Sequence, residues 1–122
     1  MRFWFALFAI WLVVTPSTLV AGEADIVKVQ IRKSGAQTFS FDVTVRHGDT
    51  GWKHYANKWD ILTADGTVLG TRVLHHPHET EQPFTRSLGG VRIPTEVTSV
   101  TVRAYDSVHA TGGATKVVTV PH

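Results

Sequence analysis

Residues 39–46 read Phe-Ser-Phe-Asp-Val-Thr-Val-Arg, and this stretch decides the fold class. Large apolar side chains alternate with polar ones, which is the period of a β-strand with one buried side and one solvent-facing side. The same alternation occurs at residues 27–32 and 100–105, where most of the apolar residues are valine. No helical period with caps is sustained in residues 23–122. The sequence therefore predicts an all-β domain.

The segment 59–74 is predicted to be a β-hairpin that turns at Asp65-Gly66. A two-residue turn would pair Ile61 with Gly70. A three-residue loop with a left-handed glycine would instead pair Ile61 with Leu69 and Leu62 with Val68. We favour the second register because it places apolar residues opposite apolar residues on both faces of the hairpin.

The alternating segments add up to six to seven strands separated by turn-forming residues. Short strands at regular spacing predict an antiparallel two-sheet sandwich with Ig-like or fibronectin-like topology. Trp59 is the predicted core tryptophan on a central strand, and residues 116–120 supply the last strand. A small barrel is the alternative architecture.

The N-terminus predicts export. Arg2 precedes an apolar run at residues 3–14, and a Thr-Pro-Ser-Thr break and small residues follow, which is the layout of a secretory signal peptide. We predict a signal peptide at residues 1–22, with Val20-Ala21-Gly22 as the cleavage triplet, and one β-sandwich domain at residues 23–122. The alternative is a retained anchor, but the run is too short for about 30 Å of hydrocarbon. We therefore expect no membrane span after cleavage and a periplasmic or secreted domain.

Composition excludes several classes of chemistry. The chain has no cysteine, and its single methionine is Met1, so thiol redox chemistry, thiolate metal sites and lipid attachment to a cysteine are excluded. Subtracting Arg2 from the 12 basic residues leaves 11 against 10 acidic ones in the mature domain, a net charge of +1. These charges are interspersed rather than arranged in a basic stripe, so no nucleic-acid partner is expected.

The most unusual stretch is His75-His76-Pro77-His78, which Glu79 and Glu81 follow closely. Proline biases the residue before it toward extended backbone, where residues two apart project to the same side. His76 and His78 can then face one metal ion, for which imidazole and carboxylate are suitable ligands. The predicted ligands are His76, His78 and His109 with Glu79 or Glu81, and the predicted metal is Cu(II) or Zn. The site forms only if the loops that carry these residues converge.

The same region, residues 75–88, also has an interpretation without metal. A connection of that length is often functional, and it can form a binding loop for a protein or small ligand through His75, Gln82, Phe84 and Arg86. Alternatively, Glu81 pairs with Arg86, Phe84 closes the end of the sandwich, and Asp106 caps its own turn. A nearby aromatic group, Trp52 and Tyr55 with His54, is interpreted as packing rather than as a sugar-binding platform.

Several strings carry a resemblance to a known family. They are residues 51–60, residues 65–74, the block His76-Pro77-His78 through Glu81-Gln82-Pro83-Phe84-Thr85-Arg86-Ser87-Leu88, and residues 103–109. They look like a family of small exported bacterial proteins without an assigned activity, and Pro-Phe-Thr-Arg-Ser-Leu is the most specific string. The resemblance implies an exported β domain. It implies no substrate, cofactor or catalytic residue.

Enzyme classes fit the sequence poorly. There is no Gly-x-Ser-x-Gly elbow, and the two neighbouring glutamates lack the separation across a cleft that glycosidases use. Two hypotheses remain. We rank a non-catalytic domain that binds an envelope protein or small ligand slightly above a periplasmic metal-binding module. The oligomeric state is left open.

Overall fold

The computed structural model describes residues 22–122, and the predicted signal peptide lies outside these residues except for Gly22. The described chain forms seven strands and no helix. They are β1 (Asp25–Lys33), β2 (Thr38–Arg46), β3 (Ala56–Leu62), β4 (Val68–Val73), β5 (Phe84–Arg92), β6 (Ser99–Asp106) and β7 (Lys116–Thr119).

The strands form two antiparallel sheets that enclose one core. One sheet has the order β1-β2-β5, and the other has the order β4-β3-β6-β7. A division into three and four strands confirms the predicted sandwich of Ig-like or fibronectin-like type.

The alternation in the sequence matches the burial of the strands. On β2 the residues Phe39, Phe41, Val43 and Val45 are fully buried, and their polar neighbours face outward. The apolar residues 27, 29 and 31 of β1 are only partly buried, because this strand lies at the edge of its sheet.

Trp59 is the largest fully buried side chain, and its strand β3 lies between β4 and β6. This confirms the predicted core tryptophan. The turn is the predicted three-residue loop, since Gly66 has a φ of +88° and Leu62 pairs with Val68. A bulge between Ile61 and Leu62 then shifts the pairing by one residue, so the preferred register was wrong at Ile61, which pairs with Gly70.

The predicted long connection after β4 is shorter than residues 75–88. Strand β5 already begins at Phe84, which pairs with Val45 of β2, and Leu88 pairs with Phe41. The charged residues and the proline obscure the strand pattern in the sequence, because few side chains of β5 are buried.

Consecutive strands run in opposite directions, so every second connection lies at the same end of the sandwich. The β2–β3, β4–β5 and β6–β7 connections share one end, where Ala56 pairs with Asp106 and Val45 with Phe84. Six of the seven histidines lie in these connections, and only His122 lies elsewhere. We call this part, residues 47–55, 74–83 and 107–115, the histidine end.

Candidate metal centre

The β2–β3 connection holds His54 against the end of β6. Its turn is closed by two backbone hydrogen bonds, from Thr50 to His54 and from His54 to Gly51, and Gly51 has a φ of +114° that favours glycine. The backbone N–H of Ser107 donates to the carbonyl of Tyr55 at 2.9 Å, which joins this connection to the β6–β7 turn. The two connections are therefore held together.

Asp106 ends β6 and organises the next turn. Its Oδ1 accepts hydrogen bonds from the backbone N–H groups of Val108 and His109, which confirms the predicted cap. Burial alone would raise the pKa of Asp106. The hydrogen bonds from the His109 backbone and side chain outweigh burial and lower that pKa to about 2. Asp106 is therefore a buried carboxylate at neutral pH.

His47 lies between two buried carboxylates. Its Nδ1 is 2.5 Å from Asp49 Oδ1, and its Nε2 is 3.2 Å from Asp106 Oδ2 and 3.0 Å from the carbonyl oxygen of Gly22. Both ring nitrogens thus face oxygen acceptors, which a neutral imidazole with a single N–H cannot satisfy. Burial lowers the pKa of His47, but the hydrogen bond and charge of Asp49 and the charge of Asp106 raise it above its ordinary value.

His54 approaches the same carboxylate oxygen from another direction. Its Nε2 is 3.5 Å from Asp106 Oδ2, but the geometry makes no hydrogen bond, and this buried nitrogen has no partner within residues 22–122. Its ring lies against that of His47, with centroids 4.7 Å apart. His47, His54 and Asp106 each offer one ligand atom, and these atoms all lie within 4.8 Å of one another. We call this set the His/Asp trio. It could hold a metal ion.

Asp49 connects the trio to the rest of the histidine end. Its side chain is fully buried, and it accepts hydrogen bonds from His47, from the backbone N–H of Ala56 at 3.1 Å, and from the backbone N–H of His78 at 2.6 Å. Burial raises the pKa of Asp49, but the hydrogen bonds from His47 and from the His78 backbone lower it below its ordinary value. Asp49 therefore orients His47 as a charged acceptor.

The predicted pair His76 and His78 is close in space, with ring centroids 4.8 Å apart, but its members differ in environment. His76 is exposed, whereas His78 is buried and stacked on Phe84 at 3.9 Å. The guanidinium of Arg86 donates to His78 Nε2 at 2.9 Å. Burial, the charge of Arg86 and the charge of His76 lower the pKa of His78. A metal ion at His78 Nε2 would have to displace Arg86.

The other residues of the predicted ligand set and binding loop are distributed as follows. Glu79 and His75 are exposed, and Glu81 pairs with Arg86 at 3.2 Å. Gln82 accepts from the backbone N–H of His47 at 2.9 Å and donates to the carbonyl of His78 at 2.8 Å, so it connects two loops. Phe84 is 1% exposed and belongs to the core.

His109 lies beside the His/Asp trio rather than beside His76 and His78. Its Nδ1 is 3.0 Å from Asp106 Oδ2, and its ring centroid is 5.0 Å from that of His54. Its side chain is 37% exposed. His109 therefore contacts Asp106 from the solvent side of the trio.

The residues predicted from the sequence as metal ligands did not include His47 or His54. Asp49 was not singled out, and Asp106 was assigned only the role of a cap. One available signal could have found the convergence. In a sandwich of consecutive antiparallel strands, the second, fourth and sixth connections lie at one end, and His47, His54 and Asp106 lie in or beside two of these connections. The pairing of Ala56 with Asp106 then brings those two connections together.

Comparison with known proteins gives one similarity in sequence. No family model and no solved structure matches the chain. Over 102 residues, or 84% of its length, the chain is 40% identical to a protein of Halomicrobium mukohataei described as "Putative lipoprotein". The chain spans 50% of the length of that relative. Within residues 22–122, no helix has the length and apolar character that a membrane crossing requires.

Proposed function

We propose that this protein is an exported β-sandwich domain that binds one divalent transition-metal ion at the His/Asp trio. The proposal depends on one observation above all. The Nε2 atoms of His47 and His54 approach the same carboxylate oxygen, Asp106 Oδ2, at 3.2 and 3.5 Å. Imidazole and carboxylate are the ligands that Zn and Cu(II) accept in proteins.

These separations suit ligands of one ion. Bonds of about 2.0–2.1 Å in a tetrahedral zinc site place neighbouring ligand atoms about 3.3 Å apart. The distances from Asp106 Oδ2 to the nitrogens of His47 and His54 bracket that value. An ion between the three atoms would also give the buried Nε2 of His54 a partner.

The balance of buried charge supports the same proposal. Asp49 and Asp106 are fully buried carboxylates, and protonated His47 between them leaves a net charge of −1 among these three groups. A dication that replaces the proton on Nε2 of His47 brings the net charge to zero. Buried charge is costly unless it is paired, so the exchange is electrostatically favourable.

The contact between Asp49 and His47 is also the arrangement that metal-binding histidines commonly have. The Nδ1–H of His47 donates to Asp49, which directs the lone pair of Nε2 toward Asp106 and His54. A carboxylate behind a ligating imidazole fixes its tautomer and makes it a stronger ligand. His54 and Asp106 complete three protein ligands, and a fourth position stays available.

Titration calorimetry with Zn(II) and Cu(II) tests the proposal on the exported protein, with His54→Ala and His76→Ala as a matched pair. We expect His54→Ala to weaken binding by about tenfold or more, since lost partners of a metal site cost that much. His76→Ala removes an exposed imidazole outside the trio and leaves affinity within about threefold. Equal binding by the parent and His54→Ala, or a loss with His76→Ala alone, contradicts the proposal.

The proposed location is the periplasm or the exterior of the cell. The predicted signal peptide supports it, and so does the description of the relative as a lipoprotein. The 122 residues contain no cysteine to which a lipid could be attached. Secretion of a signal-peptide fusion to a reporter tests this proposal, and retention of the reporter in the cytoplasm contradicts it.

A second candidate function is the binding of an envelope protein or ligand without metal. It is favoured by Trp52, which is 67% exposed at the histidine end, and by Val108, which is 58% exposed. Trp52 contacts only Tyr55 among the aromatic rings of residues 22–122, with centroids 5.6 Å apart. Capture of a defined envelope partner that resists chelator and is lost in Trp52→Ala supports this candidate. Capture that chelator abolishes contradicts it.

A further inference from the structure

The segment just before β1 crosses the histidine end beside the His/Asp trio. The carbonyl oxygen of Gly22 is 3.0 Å from His47 Nε2, the atom to which the proposed metal ion would bind. The peptide bond that follows this carbonyl belongs to Glu23, the first residue after the predicted cleavage point. Cleavage of that bond would therefore change the groups that face His47 Nε2.

The position of this segment is fixed by the β6–β7 connection. A Cβ on Gly113 would overlap the carbonyl oxygen of Ala24, and one on Gly112 would lie 2.9 Å from Cγ of Glu23. The two glycines therefore let the segment approach the turn more closely than any other residue could. Ala24 is 1% exposed and belongs to the core, and Ile26 N–H donates to Ala114 O at 2.8 Å. Cleavage after Gly22 leaves these contacts intact.

Cleavage after Gly22 removes the carbonyl oxygen that faces His47 and leaves a free α-amine on Glu23. Within one peptide unit the oxygen and nitrogen are about 2.2 Å apart. Glu23 N is therefore no further than about 5 Å from His47 Nε2. Once it is free of Gly22, this nitrogen can approach the ion by rotation about the first backbone bonds.

We infer that the α-amino nitrogen of Glu23, released by signal cleavage, is the fourth ligand of the metal ion at the His/Asp trio. This inference rests on the proposed metal-binding function. The completed ligand set is one amine, the imidazoles of His47 and His54, and the carboxylate of Asp106. Nitrogen and oxygen ligands suit Cu(II), which binds them most tightly among the divalent first-row ions. In the precursor, the same nitrogen is an amide and Gly22 O faces His47, so the set of four ligands is complete only after cleavage.

The test uses the full precursor, exported and processed by the cell, and Cu(II) as the probe. Mass spectrometry of the purified protein is expected to give Glu23 as the first residue. Any other first residue overturns the inference. The α-amine is then acetylated near neutral pH, where its pKa of about 8 makes it more reactive than lysine with a pKa of about 10. We expect acetylation to weaken Cu(II) binding by about tenfold or more.

A spectroscopic readout separates direct ligation from a structural effect. In the EPR spectrum of bound Cu(II), labelling glutamate with ¹⁵N changes the splitting from ligand nitrogens only if the Glu23 nitrogen is bound to copper. We expect this change in the unacetylated protein and no change after acetylation. If acetylation leaves affinity and splitting unchanged while His54→Ala still weakens binding, the inference fails and the proposed function stands. If His54→Ala binds like the parent, the proposed function itself fails.

Discussion

The two groups of histidines at the same end of this sandwich are built differently. In the His75–His78 run the residues are contiguous, His75 and His76 are exposed, and His78 Nε2 is engaged by Arg86. In the His/Asp trio the residues are up to 59 positions apart, yet two imidazole nitrogens meet one buried carboxylate oxygen. Histidines that are close in the sequence need not point their ring nitrogens at one another. A metal site requires ligand atoms that are close in space.

The electrostatic settings of the two groups are also opposite. Arg86 lies against His78 and lowers its pKa, so a cation is disfavoured there. Asp49 and Asp106 lie against His47 and raise its pKa, so a cation is favoured there. Substitutions and pH changes should therefore act differently on the two groups.

Asp49→Ala is expected to lower the free energy of unfolding by about 3–5 kcal/mol, because it leaves a buried charged imidazole without its partner. It also removes the acceptor of the Ala56 and His78 backbone N–H groups. The shift in the urea midpoint at constant m-value measures the loss. Asp49→Asn, which keeps the shape and one acceptor oxygen, serves as the control and should lose less. A loss below about 1 kcal/mol for alanine would show that Asp49 does not hold the two groups together.

Acidification is expected to remove about 2 kcal/mol of stability through Asp106 alone. The folded pKa of this residue is about 2, below its ordinary value of 3.8. Its contribution is therefore fully present above about pH 4 and is lost as the pH falls toward 2. Urea unfolding at a series of pH values measures this slope. Asp106→Asn should flatten it, and an unchanged slope in that variant argues against a buried charged Asp106.

His47 and His78 are expected to titrate on opposite sides of about pH 6.5. The raised pKa of His47 means that its stabilisation is present below that pH and is lost as the pH rises through the folded pKa. The lowered pKa of His78 means that its contribution is present above that pH and is lost as the pH falls through the folded pKa. NMR titration of the imidazole resonances, without metal, measures both pKa values. The same midpoint for the two residues would show that their electrostatic environments do not differ as described.

The smallest effect is expected for His76→Ala. This side chain is exposed, and its contacts are weak: Nδ1 lies 3.4 Å from Pro77 O, and its ring lies beside that of His78. Stability should change by less than about 0.5 kcal/mol, as for other surface substitutions. Thermal or urea unfolding measures it. A loss above about 1 kcal/mol would mean that the His75–His78 run is structural rather than solvated.

The sequence predicted the fold well because period-two alternation depends on local pattern and burial. Phe39, Phe41 and Trp59 could be assigned to the core from their positions in that pattern. The start of β5 at Phe84 could not be assigned in this way, because its pairing with Val45 joins residues 39 positions apart. The hairpin register differed because a bulge after Ile61 satisfies the turn and the apolar match together.

The candidate site was predicted only in part. Zinc or copper(II) at histidines was a sequence prediction, and the trio offers the same kinds of ligand from other residues. His47 directly follows an ordinary strand, and nothing local marks it as a ligand. Its role depends on Asp106, which the pairing of β3 with β6 brings to the same end. Such a site is a property of topology, so a search for clustered residues finds the His75–His78 run first.

Imidazole-resolved NMR of the ¹⁵N-labelled protein, titrated with Zn(II) to one equivalent, distinguishes a metal ion at the His/Asp trio from one at the His75–His78 run. We expect the ring nitrogens of His47 and His54 to shift together and to reach their end point at one equivalent, while those of His75 and His76 stay unchanged. A shift of His76 and His78 at one equivalent, with His47 and His54 unmoved, would contradict it.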